Sequence, residues 1–320
     1  MDFHLSFPIK FFPQKLNYSH KSLFIGSCFA ENICDLMNTY KFSVVQNPHG
    51  ILYNPASIAI ALRRYINKKL LQEADLFYFN ECWNSPEHHS RFSNKDRQNC
   101  LTTINNKISS SNIFLRDCDW LFITFGSSYV YKDKQTGEMV GNCHKRPQQA
   151  FTKLMLSASE VILDYTQLIQ EITEFNRNIK IVFTISPVRH IRDGVIENSL
   201  SKARLIEAVH ELVKLKDNIF YFPAYEIVLD DLRDYRFFKA DLIHPNEQAI
   251  SYVFEKIMEA IFDEESKLLF EKIKEIIMAK QHRPFNINSE SYNKFKAFYE
   301  SRILQLQLNY PNIKFEDDIQ

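Results

Sequence analysis

Glycine is scarce in this 320-residue chain, with six copies. A glycine-rich phosphate cradle has little to be built from, and neither dinucleotide nor P-loop spacing occurs. Each glycine outside a helix then calls for a backbone reason. The six cysteines, at positions 28, 34, 82, 100, 118 and 143, include no Cys-x-x-Cys and no disulfide-like spacing. That pattern argues against a zinc site and for reduced thiols in a cytoplasmic protein. Lys+Arg and Asp+Glu balance at 39 each, so no basic surplus favours nucleic acid or an anionic membrane surface. No apolar run approaches the ~20 residues of a membrane span. The segment Met1–His4 starts neither a basic n-region nor an apolar h-region, so no signal peptide is expected. Nothing calls for a metal or a cofactor.

What the chain has in quantity is apolar and aromatic residues, 45% and 14%, with 27 Phe. That is enough for one large core, or a core with an appended subdomain. Five β-branched or aromatic runs predict buried strands: Ser22–Ile25, Phe42–Val45, Trp120–Phe125, Lys180–Ile185 and Ile219–Phe222. Amphipathic patterns at 28–40, 93–108, 159–177 and 200–216 predict helices between most of them. Strands alternating with helices imply a parallel sheet covered on both faces. The expected architecture is a three-layer α/β/α, flavodoxin-like fold with strand order 2-1-3-4-5. Insertions are expected at about 50–119 and 126–157, the second with a hairpin turn at Lys132–Gly137. Helical patterns run from Asn246 to about Lys280, then a break at Arg283-Pro284 and a last amphipathic segment, Tyr292–Leu306. Residues 1–264 would form the main domain and 265–320 a helical C-terminal extension.

Ligands of open parallel sheets bind beyond the carboxyl ends of the strands, where strand order reverses. In this order that point lies between the first and third strands, which end in Gly26-Ser27 and Gly126-Ser127-Ser128. Ser27 stands on a turn from strand to helix, where helix-start N–H groups could serve a developing oxyanion. The same residues describe a plain N-cap equally well. The second element is Asp241-Leu242-Ile243-His244-Pro245, after the last strand. Its spacing lets the carboxylate bond one imidazole nitrogen while the other faces outward. No other histidine of the chain has an Asp three residues before it. Ser27 as nucleophile, His244 as base and Asp241 as its orienter form the candidate triad. Cys28, the neighbouring thiol, is expected to pack, and His88-His89 to be surface residues.

The α/β-hydrolase elbow Gly-x-Ser-x-Gly is absent. What these residues resemble is the SGNH hydrolase superfamily and, within it, the GSCFA family, spelled here by Gly26-Ser27-Cys28-Phe29-Ala30. Similar segments are Gly50–Pro55, Asn142–Lys145, Ser186–Val188, Ser201–Ala203 and Asp241–Pro245, so the resemblance reaches to about residue 280. It implies serine-dependent hydrolysis of a small-molecule or carbohydrate ester. Acyl transfer on the same fold and a catalytically weak binding module are the alternatives. It also implies an oxyanion hole from the nucleophile's N–H, a glycine N–H after strand two and an asparagine after strand three. Gly50 stands at the second position, but Gly126-Ser127-Ser128 carries no asparagine, so Asn54 or Asn142 is the candidate amide. Gly126 and His144, the latter with Lys145, complete the candidate substrate-binding set.

Overall fold

The computed structural model describes residues 5–282, 285, 286 and 288–315. In chain order, β1 (Lys21–Gly26) runs into α1 (Cys28–Thr39), then β2 (Ser43–Gln46), α2 (Pro55–Asn67), a hairpin of β3 (Phe77–Phe79) and β4 (Cys82–Asn84), and α3 (Arg97–Arg116). Next come β5 (Trp120–Phe125), β6 (Tyr129–Asp133), β7 (Met139–Val140), β8 (Phe151–Met155) and α4 (Ala158–Phe175). β9 (Lys180–Ile185), α5 (Val195–Leu212) and β10 (Ile219–Tyr221) follow. A short α6 (Ala224–Glu226) passes into a π-turn, and α7 (Glu247–Ile261), α8 (Glu264–Gln281) and α9 (Glu290–Asn309) complete the chain.

The central sheet has the order β10-β9-β5-β1-β2 with every pair parallel. This is the 2-1-3-4-5 order, with β5, β9 and β10 as its third to fifth strands. Because side chains alternate along a strand, each strand feeds two cores. Leu23, Ile25, Leu121, Ile123, Phe125, Ile181, Phe183 and Ile185 join the cluster under α2, α4 and α5. Phe24, Trp120, Phe122 and Val182 join the cluster under α1 and α7. Burial on both faces is why these strands read as continuous apolar runs. Each large side chain so buried contributes roughly 1.5–3 kcal/mol.

The first insertion holds α2, the β3–β4 hairpin and α3, with a small core of its own around Phe92, Ile104 and Ile108. The second is a three-stranded antiparallel sheet, β7-β6-β8, whose β6–β7 turn contains Gly137 at φ +75. Two helices differ in extent from the sequence expectation. α3 starts at Arg97, where the Asp96 side chain caps the Asn99 amide, and continues to Arg116. α5 starts at Val195, five residues early, because Val195 and Ile196 are exposed and give its first turn no amphipathic signature. Leu269, Ile273 and Ile276 of α8 pack with Leu306 of α9; the expected break at Arg283-Pro284 lies outside the described residues. No helix among the described residues is long and apolar enough to cross a membrane.

Candidate active site

The parallel ladder between β1 and β5 pairs Gly26 with Thr124, and the chain leaves the sheet there at φ +138. A Cβ on Gly26 would lie 2.1 Å from the Thr124 carbonyl oxygen, so only glycine fits. Ser27 takes the N-cap position of α1 with extended backbone angles, yet its side chain makes no capping hydrogen bond. Its hydroxyl is buried and has no hydrogen-bond partner among the described residues. Leaving a buried polar atom unmade costs about 1–3 kcal/mol, a cost that a capping bond at this N-cap position would have removed. One expectation is corrected here. The Ser27 N–H is not free, because the ladder extends one step past Gly26 and the amide donates to Thr124 O at 3.2 Å. The amides left without intrahelical acceptors at this helix start are those of the following residues, Cys28 and Phe29.

The base comes from a loop held by local bonds. Asp241 Oδ1 accepts from the His244 and Ile243 amides at 3.0 and 2.9 Å, and Oδ2 lies 2.7 Å from His244 Nδ1. The two amides, with the ring, hold the Asp241 carboxyl well below the usual carboxylate range. An ionised carboxylate only accepts hydrogen bonds, so Nδ1 carries the proton and Nε2 of the neutral ring keeps a free lone pair. Leu242 reaches φ +58 between them. Lys239 N donates to His244 O at 2.7 Å and closes the loop. Arg189 adds an outside clamp, its amide donating to Ile243 O and its guanidinium to Leu242 O while stacked 4.2 Å over the Phe238 ring.

Ser27 and His244 line one cleft of about 430 Å³, together with Cys28, Tyr53, Gly126, Ser127 and, from the segment after β9, Ser186 and Val188 to Arg192. No hydrogen bond joins Ser27 Oγ to the imidazole in this conformation. Such contacts are often long in free enzymes and tighten with substrate. Cys28 also faces the cleft, half-buried, and burial pushes its thiol up and away from the reactive thiolate. A Cβ on Gly126 would sit 3.5 Å from Ser27 Cβ, so the absence of a side chain there keeps the wall beside the hydroxyl low.

Most of the remaining candidates lie away from the cleft. Gly50 N–H donates to Asn47 O, and Gly50 is glycine because at φ +81 a Cβ would meet His89 Cβ at 2.2 Å. Asn54 Oδ1 caps α2 at the Ser57 amide, and Asn142 Oδ1 accepts from the His144 amide. Both side chains serve turns rather than the cleft. His144 is buried with Nε2 on Ser85 O, so it faces no solvent-borne anion. Gly126 does line the cleft, but its amide donates to Tyr53 O. His88, expected at the surface, is fully buried and stacked on His49 at 3.9 Å. Among the described residues no group of three His, Cys, Asp or Glu side chains could hold a metal ion.

Sequence reasoning missed the wall made by Arg189, His190, Ile191 and Arg192. The available signal was position, since this segment follows Ser186 at the carboxyl end of the strand beside β5. His190 Nε2 stands 3.7 Å from Asp193 Oδ2, too far for a hydrogen bond, and Asp193 is paired with Lys153.

The GSCFA family model matches residues 21–257, and the model of the GSCFA domain protein C-terminal domain matches 273–320. The chain belongs to the GSCFA family. No curated protein matches its sequence. Solved structures similar to this GSCFA chain include the acetyl xylan esterase Est2A of Butyrivibrio proteoclasticus, at 9% identity and a TM-score of 0.39 over 76% of this chain. The GSCFA chain spans 63% of that esterase's length. A carbohydrate esterase of family 3 from Talaromyces cellulolyticus is similar at 10% identity and 0.35, over 80% of this chain and 99% of the other. A family two carbohydrate esterase from Clostridium thermocellum, in complex with cellohexaose, is similar at 10% and 0.37, over 80% and 66%.

Proposed function

We propose that this GSCFA protein is a serine-dependent ester hydrolase of the SGNH type, acting on a small-molecule or carbohydrate ester. The observation that carries the reading is the oriented His244–Asp241 pair on the same cleft as a buried, unpartnered serine hydroxyl. His244 Nε2 takes the Oγ proton as Ser27 attacks the acyl carbonyl, and returns it to the leaving alcohol. Water, activated by the same nitrogen, then releases the acid. Asp241 keeps the proton on Nδ1 throughout and stabilises the imidazolium that forms. For the oxyanion, the first-turn amide of Cys28 takes the place that the Ser27 and Gly50 amides, both engaged, leave open.

A panel of short-chain aryl esters and acetylated sugars, run on wild type and Ser27→Ala, tests the reading. Turnover should fall by roughly a thousandfold or more in Ser27→Ala. A fluorophosphonate should label wild type and Cys28→Ala, and neither Ser27→Ala nor His244→Ala. Labelling lost in Cys28→Ala alone, with inactivation by iodoacetamide, would move the nucleophile to the thiol.

A further inference from the structure

Behind the cleft, α5 delivers a cation into a place that offers it no carboxylate. Lys202 is 1% exposed, the one lysine or arginine among the described residues that is fully buried. Its Nζ donates to Gly126 O and Ser186 O, both at 2.6 Å. These carbonyls stand just past the last residues of β5 and β9, and both residues line the cleft. Burial lowers the ammonium to about 7, a sign of how little else compensates the charge. A buried lysine with no ion pair is a costly choice for a core position where leucine would pack. The cost needs a return.

The neighbouring residue does related work. Ser201 Oγ accepts from the Ser128 amide at 2.8 Å and lies 3.3 Å from Ser127 Oγ. One turn earlier, Asn198 Oδ1 accepts from the His190 amide at 2.8 Å. One face of α5 therefore grips both strand ends that wall the cleft with Ser27. The backbone supplies one bond between the two ends, Ser186 N–H to Phe125 O at 2.8 Å, while the Gly126 and Ser127 amides both reach across to Tyr53 O on the other side.

We propose that Lys202 is a positioning residue for the reaction at Ser27. Its ammonium ties the carbonyl ends of β5 and β9 into one rigid wall and so holds the acyl group at attack distance. Lys202 touches neither substrate nor reacting atoms. It acts through Gly126 and Ser186, with Ser201 as its second anchor. The inference rests on Ser27 as nucleophile, and the ester assay separates the two. If Ser27→Ala stays active the nucleophile is wrong, whatever Lys202 does.

The test replaces Lys202 by Met, which fills the space without donors, and by Gln, which keeps two donors without the charge. Misplacement of bound substrate should act on kcat rather than KM. Lys202→Met should lose about tenfold or more in kcat with KM moved less than about threefold, and Lys202→Gln should recover most of that loss. A folded Lys202→Met with kcat within about twofold of wild type overturns the proposal. So does a folded Lys202→Gln as slow as the Met variant, because the two hydrogen bonds would then not carry the effect. If Lys202→Met does not fold, Ser201→Ala decides. It should lower kcat several-fold at constant KM, and an unchanged kcat there also overturns the proposal.

Discussion

The two ends of the candidate site are held in place by different means. Ser27 stands on buried ground, one residue past a central strand, with its amide still in the β1–β5 ladder and Gly26 fitted against Thr124. His244 and Asp241 stand on a loop, with side chains about two-fifths exposed, and their geometry comes from three bonds to one carboxylate and a clamp from Arg189. The sheet determines where the candidate nucleophile is; hydrogen bonds within a few residues determine where the candidate base is. The comparison implies that damage at the serine end spreads into the fold, and that damage at the histidine end stays in the chemistry.

The sharpest way to break the comparison is Gly26→Ala. The added methyl has a backbone oxygen at 2.1 Å and a φ of +138 to satisfy, and neither can relax without parting β1 from β5. We expect a loss of at least roughly 3 kcal/mol, a large share of the roughly 5–15 kcal/mol that keeps a protein folded. Denaturant unfolding monitored by circular dichroism measures it. A Gly26→Ala protein melting beside wild type would show that the serine end is not rigid.

Asp241→Asn probes the opposite end and should cost activity alone. The amide oxygen can still accept from the Ile243 and His244 amides, so the loop keeps its form. Its NH2, however, must donate to Nδ1, which forces the ring proton onto Nε2 and removes the acceptor Ser27 needs. A loss of about 10² to 10⁴ in kcat is expected, with Tm changed by no more than about 2 °C. A large fall in Tm would mean that this exposed loop carries stability after all.

This division also explains what could be read from the residues alone. The parallel sheet was legible because strands buried on both faces leave unbroken apolar runs, and Gly26-Ser27 and Asp241–His244 because each is a compact local pattern. The oxyanion donors were not legible. An amide's availability depends on its acceptor, and those acceptors are Thr124 for Ser27, Asn47 for Gly50 and Tyr53 for Gly126. Such tertiary pairings leave no trace in spacing. His88 shows the same limit, since a polar stretch gave no hint that its ring would be buried against His49. Lys202 stood in the family-like segment Ser201–Ala203, but nothing in the spacing placed two carbonyls around its ammonium.

The smallest expected effect concerns the backing of the serine end. The segment from Asn47 to Leu52 wraps the Ser27 turn, with Gly26 N–H on Asn47 Oδ1 and Leu52 N–H on Gly26 O. Behind it His49 and His88 are stacked and buried, each with an unpartnered Nε2. Burial, reinforced by the nearby Arg64, lowers His88 to about 3, and His49 is lowered as well. The unfolded chain protonates both rings below about 6.5 while the folded chain keeps them neutral. Unfolding therefore takes up protons there, and stability falls as pH drops from about 6.5 toward 3. Between about pH 6.5 and 5.5 each ring should remove on the order of 1 kcal/mol, or about 2–4 °C in Tm. In His88→Phe one titrating ring is gone and the aromatic stack is kept, so the slope of Tm against pH should fall by that ring's share. The rest comes from His49 and from His20, His89, His144 and His190, which burial lowers in the same direction. The ring on the cleft beside the histidine end, His190, is only half-buried. Superimposable pH slopes for wild type and His88→Phe would therefore detach acid sensitivity from the serine end.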